Sequence, residues 1–149
     1  MKLKITRLSE KAVIPKIAYN NTSAAFDITA TKTISINPGE YGIVPNDLRI
    51  CIPEGEKYFM YINLRSSLGF KRNLICHHGI VDPGYTGDIG VKVYNIGKEV
   101  ETIKEGERYA QILILPFEIP EFEELTNEEF EEFAKTQQRN NSGFGSSGK

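Results

Sequence analysis

Apolar and polar residues alternate along much of this chain. Leu3 and Ile5 alternate with Lys2, Lys4 and Thr6, and Ile34 and Ile36 with Thr33 and Ser35. Leu48, Ile50 and Ile52 flank Arg49 and Cys51; Ile89, Val91 and Val93 flank Gly90, Lys92 and Tyr94. A period of two turns one face of a strand to a core and the other to water or a neighbour. Two runs, 58–64 and 109–115, are more continuously apolar, as expected of strands covered on both faces. Turn signals separate the runs: Asn37-Pro38-Gly39, Pro53-Glu54-Gly55, Asp82-Pro83-Gly84, Asn95-Ile96-Gly97 and Glu105-Gly106. Signals spaced by about 8–12 residues predict an all-β antiparallel sandwich or barrel.

One helix is predicted, at about 127–135. Thr126 with Glu129 three residues on is a capping box, and Phe130, Phe133 and Ala134 share a face. Eight glutamates lie in 118–132. They read as the solvated face of a short peripheral helix, with an acidic partner-binding surface as the alternative. The remaining 137–149 is too rich in glycine to hold one shape by itself and forms a flexible arm beyond a first region of 1–136.

At 149 residues this is one domain's worth of chain, and a net charge of -2 gives no field for duplex DNA or an anionic membrane. No segment approaches the ~20 apolar residues of a membrane span, and 1–10 lacks the apolar stretch of a signal peptide. Cys51 and Cys76 have no CxxC spacing, and His77 and His78 are the only histidines. That argues against a zinc site and for free thiols in a reducing, cytoplasmic setting.

Five short segments carry candidate chemistry. Ser23-Ala24-Ala25-Phe26-Asp27-Ile28 sets a carboxylate between apolar positions. Arg65-Ser66-Ser67-Leu68-Gly69 offers a guanidinium, two hydroxyls and a flexible backbone, a set suited to phosphate oxygens. Gly79-Ile80-Val81-Asp82-Pro83-Gly84-Tyr85-Thr86-Gly87 reads as a hairpin with an acid and a phenol three apart. Gly106-Glu107-Arg108-Tyr109-Ala110-Gln111 leads an amide into a strand. The arm, Arg139-Asn140-Asn141-Ser142-Gly143-Phe144-Gly145-Ser146-Ser147-Gly148, puts one aromatic between glycines with an arginine upstream, which suits a lid over a flat, anionic ligand.

Together and in this order the five segments resemble the motifs of the trimeric dUTPase family. The resemblance implies a jelly-roll-like β-barrel and hydrolysis of dUTP to dUMP and pyrophosphate. It also implies the physiological consequence: less uracil in DNA and a supply of dUMP for dTMP synthesis. It gives Asp82 the part of the base that activates the attacking water, and Asp27 that of an acid holding Mg²⁺ through water. Arg65, Ser66, Ser67 and Gln111 are then phosphate contacts, as are Arg139, Gly145, Ser146 and Ser147. Phe144 stacks on uracil, Tyr85 packs on the deoxyribose and excludes a 2′-hydroxyl, and backbone near Gly79, Val81 and Lys92 reads the base. A homotrimer with sites between subunits is implied too.

Ala25, Ser67 and Cys76 depart from the residues usual in the family. The related dCTP deaminases need a glutamate on the strand after the Asp82 turn, where this chain has Lys92, an ammonium that cannot shuttle a proton as a carboxylate does. A nucleotide-binding regulator is the reading from a different class, and an intact Asp82 and arm argue against binding alone.

Overall fold

The computed structural model describes residues 1–17 and 22–137. The chain divides into one unit, Met1–Glu118, and a second from Ile119 onward. Among the described residues the first unit holds eleven strands: β1 (Lys4–Arg7), β2 (Phe26–Thr29), β3 (Ile34–Ile36), β4 (Tyr41–Val44), β5 (Leu48–Cys51), β6 (Tyr58–Leu64), β7 (Leu74–Cys76), β8 (Gly79–Val81), β9 (Val91–Asn95), β10 (Glu101–Ile103) and β11 (Arg108–Pro116). A helix, α1 (Ser66–Arg72), follows β6. The pairings are antiparallel and make four small sheets: β1-β5, β10-β3, β2-β11-β6-β8 and β4-β9-β7. This is the expected all-β, jelly-roll-like arrangement.

Alternating side chains set the core, on β9 as the sequence predicts and on β6 and β2 as well. Met60, Ile62 and Leu64 on β6 are buried, as are Val91 and Val93 on β9 and Ile28 on β2. Each contributes roughly 1.5–3 kcal/mol by leaving water. Two patterns differ from expectation. The β6 run is covered on one face only, with Phe59, Tyr61 and Asn63 half-buried on the other. β1 pairs only with β5 and is exposed throughout, so Ile5 does not reach the core of the chain.

The helix α1 is one more than the single helix the sequence predicted, and it stands where a flexible backbone was expected at 65–69. Leu68 is its one buried residue, and Asn73 ends it in the left-handed region (φ 52°), donating its N–H to Gly69 O at 3.2 Å. A seven-residue helix with a single apolar anchor and an internal glycine leaves no 3.6-residue periodicity to read.

The 79–87 segment is also not a hairpin. β8 pairs with β6, whereas β9 pairs with β4 and β7, so the Asp82 turn carries the chain from one sheet to another. Gly84, at φ +84°, makes this turn and donates to Ile52 O at 2.8 Å.

Beneath the sheets Asn46 and Tyr109 form a buried polar pair. Asn46 Nδ2 donates to Ile89 O (2.9 Å) and Asn46 Oδ1 accepts from Leu48 N (3.1 Å). The Tyr109 hydroxyl donates to Val44 O at 2.8 Å, and burial pushes its pKa up.

The second unit contains α2 (Asn127–Lys135), with the expected capping box. Glu129 N donates to Thr126 Oγ1 (3.2 Å) and Thr126 N to Glu129 Oε2 (2.8 Å), and these bonds lower the Glu129 pKa. Phe130 and Phe133 lie 6.2 Å apart, both exposed. Among the described residues no helix is long and apolar enough to cross a membrane.

Candidate functional site

The first cluster grows from the register of three strands. Gln111 on β11 has Asp27 of β2 opposite it on one side and Asn63 of β6 on the other. Directly opposed residues share a face, so the three polar side chains form a row across the sheet. The register shifts between Arg108 and Ala110, a bulge that leaves Tyr109 and Ala110 both buried. Without it, strict alternation would turn Arg108 inward with Ala110. The bulge instead returns Arg108 to the face of Gln111 and Asp27.

Asp27 is then held between two cations. Its Oδ1 lies 3.3 Å from Arg65 Nε and its Oδ2 3.0 Å from Arg108 Nη1, with only 16% of the side chain exposed. Arg65 occupies the residue before α1; its backbone N–H donates to Tyr109 O (3.0 Å) and its Nη1 to Arg108 O (3.3 Å). Ser66 starts the helix beside it. Asp27, Arg65, Ser66, Arg108 and Gln111 line a groove of about 530 Å³. Arg65, Ser66 and Gln111 also border an adjoining one of about 500 Å³, floored by Asn63 and Cys76. The Cys76 thiol donates to Asn63 Oδ1 at 3.5 Å, and burial raises its pKa. Ser67 is exposed and lines neither groove.

The second cluster surrounds a pocket of about 250 Å³ lined by Gly79, Val81, Asp82, Tyr85, Asp88 and Gly90, among others. Asp82 is exposed there. The Tyr85 hydroxyl donates to Asp88 O at 3.0 Å, folding the ring over Gly87. No residue lines both this pocket and the Asp27 groove, so within one chain Asp82 and Tyr85 open on a different cavity from Asp27, Ser66 and Gln111.

Lys92 joins neither cluster. Its ammonium sits 3.9 Å over the Tyr41 ring and 5.1 Å from that of Tyr94, and the Tyr94 phenol raises its pKa. Its carbonyl accepts from His77 N at 3.1 Å. Arg139, Phe144, Gly145, Ser146 and Ser147 lie outside the described residues. Sequence reading passed over Arg108 and Asn63. Both become visible once Gln111 is set in register, and the bulge that recruits Arg108 left only the adjacent apolar pair Tyr109-Ala110 as a signal.

A metal would find few direct ligands. Among the described residues no group of three His, Cys, Asp or Glu side chains converges. Asp27 stands alone, each oxygen already paired with a guanidinium but with lone pairs left to accept from water. Such a donor set suits a hydrated ion carried in by phosphates rather than a protein cage.

Residues 10–148 match the dUTPase family model. The chain is 38% identical over 155 residues to the deoxyuridine 5'-triphosphate nucleotidohydrolase of Nautilia profundicola, covering all of both. It is 35% identical over 153 residues to that of Crocosphaera subtropica, covering 99% of each. Among solved structures it superposes on a mutant dUTPase of Staphylococcus bacteriophage 80alpha with dUpNHpp, at TM-score 0.87 and 27% identity over 99% of each chain. A mutant dUTPase from phage phi11 of S. aureus is similar at TM-score 0.75 and 26% identity, covering 84% of this chain and 97% of that one. That structure describes coordination of a structural Mg(II) ion.

Proposed function

The chain belongs to the dUTPase family, and from that premise we propose that it hydrolyses dUTP to dUMP and pyrophosphate in the cytoplasm, with Mg²⁺ as cofactor. The observation that carries the reading is the Asp27 cluster. Two guanidiniums, a helix-borne hydroxyl and an amide face one groove, with a single carboxylate among them. That is a receptor for a polyanion that brings its own cation.

In this mechanism Asp82 holds the attacking water and takes its proton as the water adds to the α-phosphorus. Arg65 and Arg108 neutralise the phosphate chain, and Ser66 donates to the oxygen on which leaving-group charge develops. Asp27 would hold Mg²⁺ through the ion's waters, and Gln111 would orient the water beside it. Mg²⁺ would screen the phosphates and stabilise the pyrophosphate as it departs. Tyr85 covers the deoxyribose, while backbone around Gly79, Val81 and Gly90 pairs with the uracil edge. Arg139, Phe144 and the arm's serines close the site and exclude water.

The two clusters meet in this scheme between subunits. The Asp82 pocket of one copy faces the Asp27 groove of another, in a homotrimer. The separation of the two cavities within one chain supports this reading. Profiling pyrophosphate release from dUTP, dCTP, dTTP and UTP, with and without Mg²⁺, tests it. Mg²⁺-stimulated release from dUTP alone is expected; release of ammonia from dCTP, or no turnover of dUTP, would overturn the reading.

A further inference from the structure

The strongest charge network in the first unit lies outside both clusters. Arg72, the last residue of α1, uses three guanidinium nitrogens at once. Nε donates to Glu101 Oε2 at 2.6 Å, Nη1 to Glu107 Oε1 at 2.6 Å, and Nη2 to Thr102 O at 2.7 Å. All three side chains are about three-quarters buried. The other oxygen of Glu107 accepts from Lys104 N at 3.0 Å, which closes the turn into β11. Glu107 directly precedes Arg108, the residue that the bulge turns toward Asp27.

The helix α1 is therefore tied at both ends to the β10–β11 connection. Arg65 ties its start to Tyr109 O, Arg108 O and Asp27, and Arg72 ties its end to Glu101, Thr102 and Glu107. A helix of this length with one buried side chain has little stability of its own, so its direction is set by these ties. We propose that Arg72 is a positioning residue for hydrolysis: it sets the direction of α1, and with it Ser66 and Arg65, and steadies Arg108 through Glu107. The inference rests on the dUTP reading above.

Substitution Arg72→Gln removes the charge and leaves Glu101 and Glu107 facing each other unneutralised. A displacement of about 1 Å at the phosphate end costs up to ~100-fold in rate, so kcat for dUTP is expected to fall about 10- to 100-fold. Affinity for dUpNHpp should fall with it, while affinity for dUMP, which lacks the outer phosphates, stays within about twofold. Arg72→Lys keeps one charge but has one nitrogen for three partners, and should fall between. A folded Arg72→Gln protein with wild-type kcat, or with equal losses for dUMP and dUpNHpp, overturns the proposal. If Arg72→Gln does not fold, Glu101→Ala removes a single tie. It should show the same unequal losses on a smaller scale, and wild-type behaviour there is equally fatal. A wild-type protein that releases no pyrophosphate from dUTP would instead sink the functional reading.

Discussion

Gly87→Ala is the sharpest steric test of how this fold would discriminate sugars. A Cβ at Gly87 would stand 2.2 Å from the Tyr85 hydroxyl oxygen and 2.5 Å from Cζ. Ordinary van der Waals contact begins near 3.4 Å, so the phenol must retreat by roughly 1.2 Å. Gly87 is not at positive φ, so alanine adds no backbone strain. The ring is half-exposed and can swing outward, losing its hydrogen bond to Asp88 O. That bond is worth about 1 kcal/mol at most in so wet a place, so the fold should survive. The site should not be indifferent, because a shift of this size relaxes the wall that Tyr85 is proposed to set against a 2′-hydroxyl. The expected outcome is a fall of about tenfold in kcat/KM for dUTP with UTP unchanged or improved, compressing discrimination by about 1.4 kcal/mol. Initial rates of pyrophosphate release from both nucleotides, measured on variant and parent in parallel, decide it. An unchanged dUTP/UTP ratio in a folded variant would refute the role given to Tyr85.

Two further outcomes are expected. Asp82→Asn should retain dUpNHpp but lose turnover by ~10³-fold or more; mixed with a chain truncated before Arg139, it should recover activity above either parent. Unmixed rates in the mixture would argue against a site shared between subunits. Tyr109→Phe strips the donor from Val44 O in the buried Asn46 pair and should cost about 1–2 kcal/mol, read as a Tm lower by several degrees. An unchanged Tm would mean that the carbonyl finds another partner.

What was legible in the sequence was what depends on period and on turn chemistry. Val91 and Val93 read as an inward row, and Thr126 with Glu129 read as a helix start, because each pattern is complete within a few residues. The helix α1 was illegible because its ties are remote: Arg72 meets Glu101 and Glu107 about thirty residues further on, and no local pattern announces that. The Asp82 turn misled for a related reason. Asp-Pro-Gly marks a reversal, but whether the next strand pairs with the last is decided by β4, β6 and β7, which compete for both partners. The Lys92 ammonium, drawn onto the Tyr41 ring, leaves its backbone as the part the sequence assigned to base reading.

The charge balance of the Asp27 groove supports the part proposed for the arm. The charged residues lining it are Asp27, Arg65 and Arg108, a net charge of plus one. A nucleoside triphosphate with one Mg²⁺ carries roughly minus two. The groove alone therefore leaves about one negative charge uncompensated in a space that must lose water for the electrostatics to act. The sequence offers one more cation beyond α2 and ahead of Phe144, at Arg139. An arm that delivers this charge together with a ring over the base would neutralise the site and seal it in one movement. Closing without substrate would bring Arg139 to a groove already net positive, so the same charges that favour closure over dUTP oppose it over an empty site. Asp27 has a double part in this arrangement. It tempers the two guanidiniums so that they can lie side by side, and it leaves the groove short of the positive charge that the metal and the arm would supply.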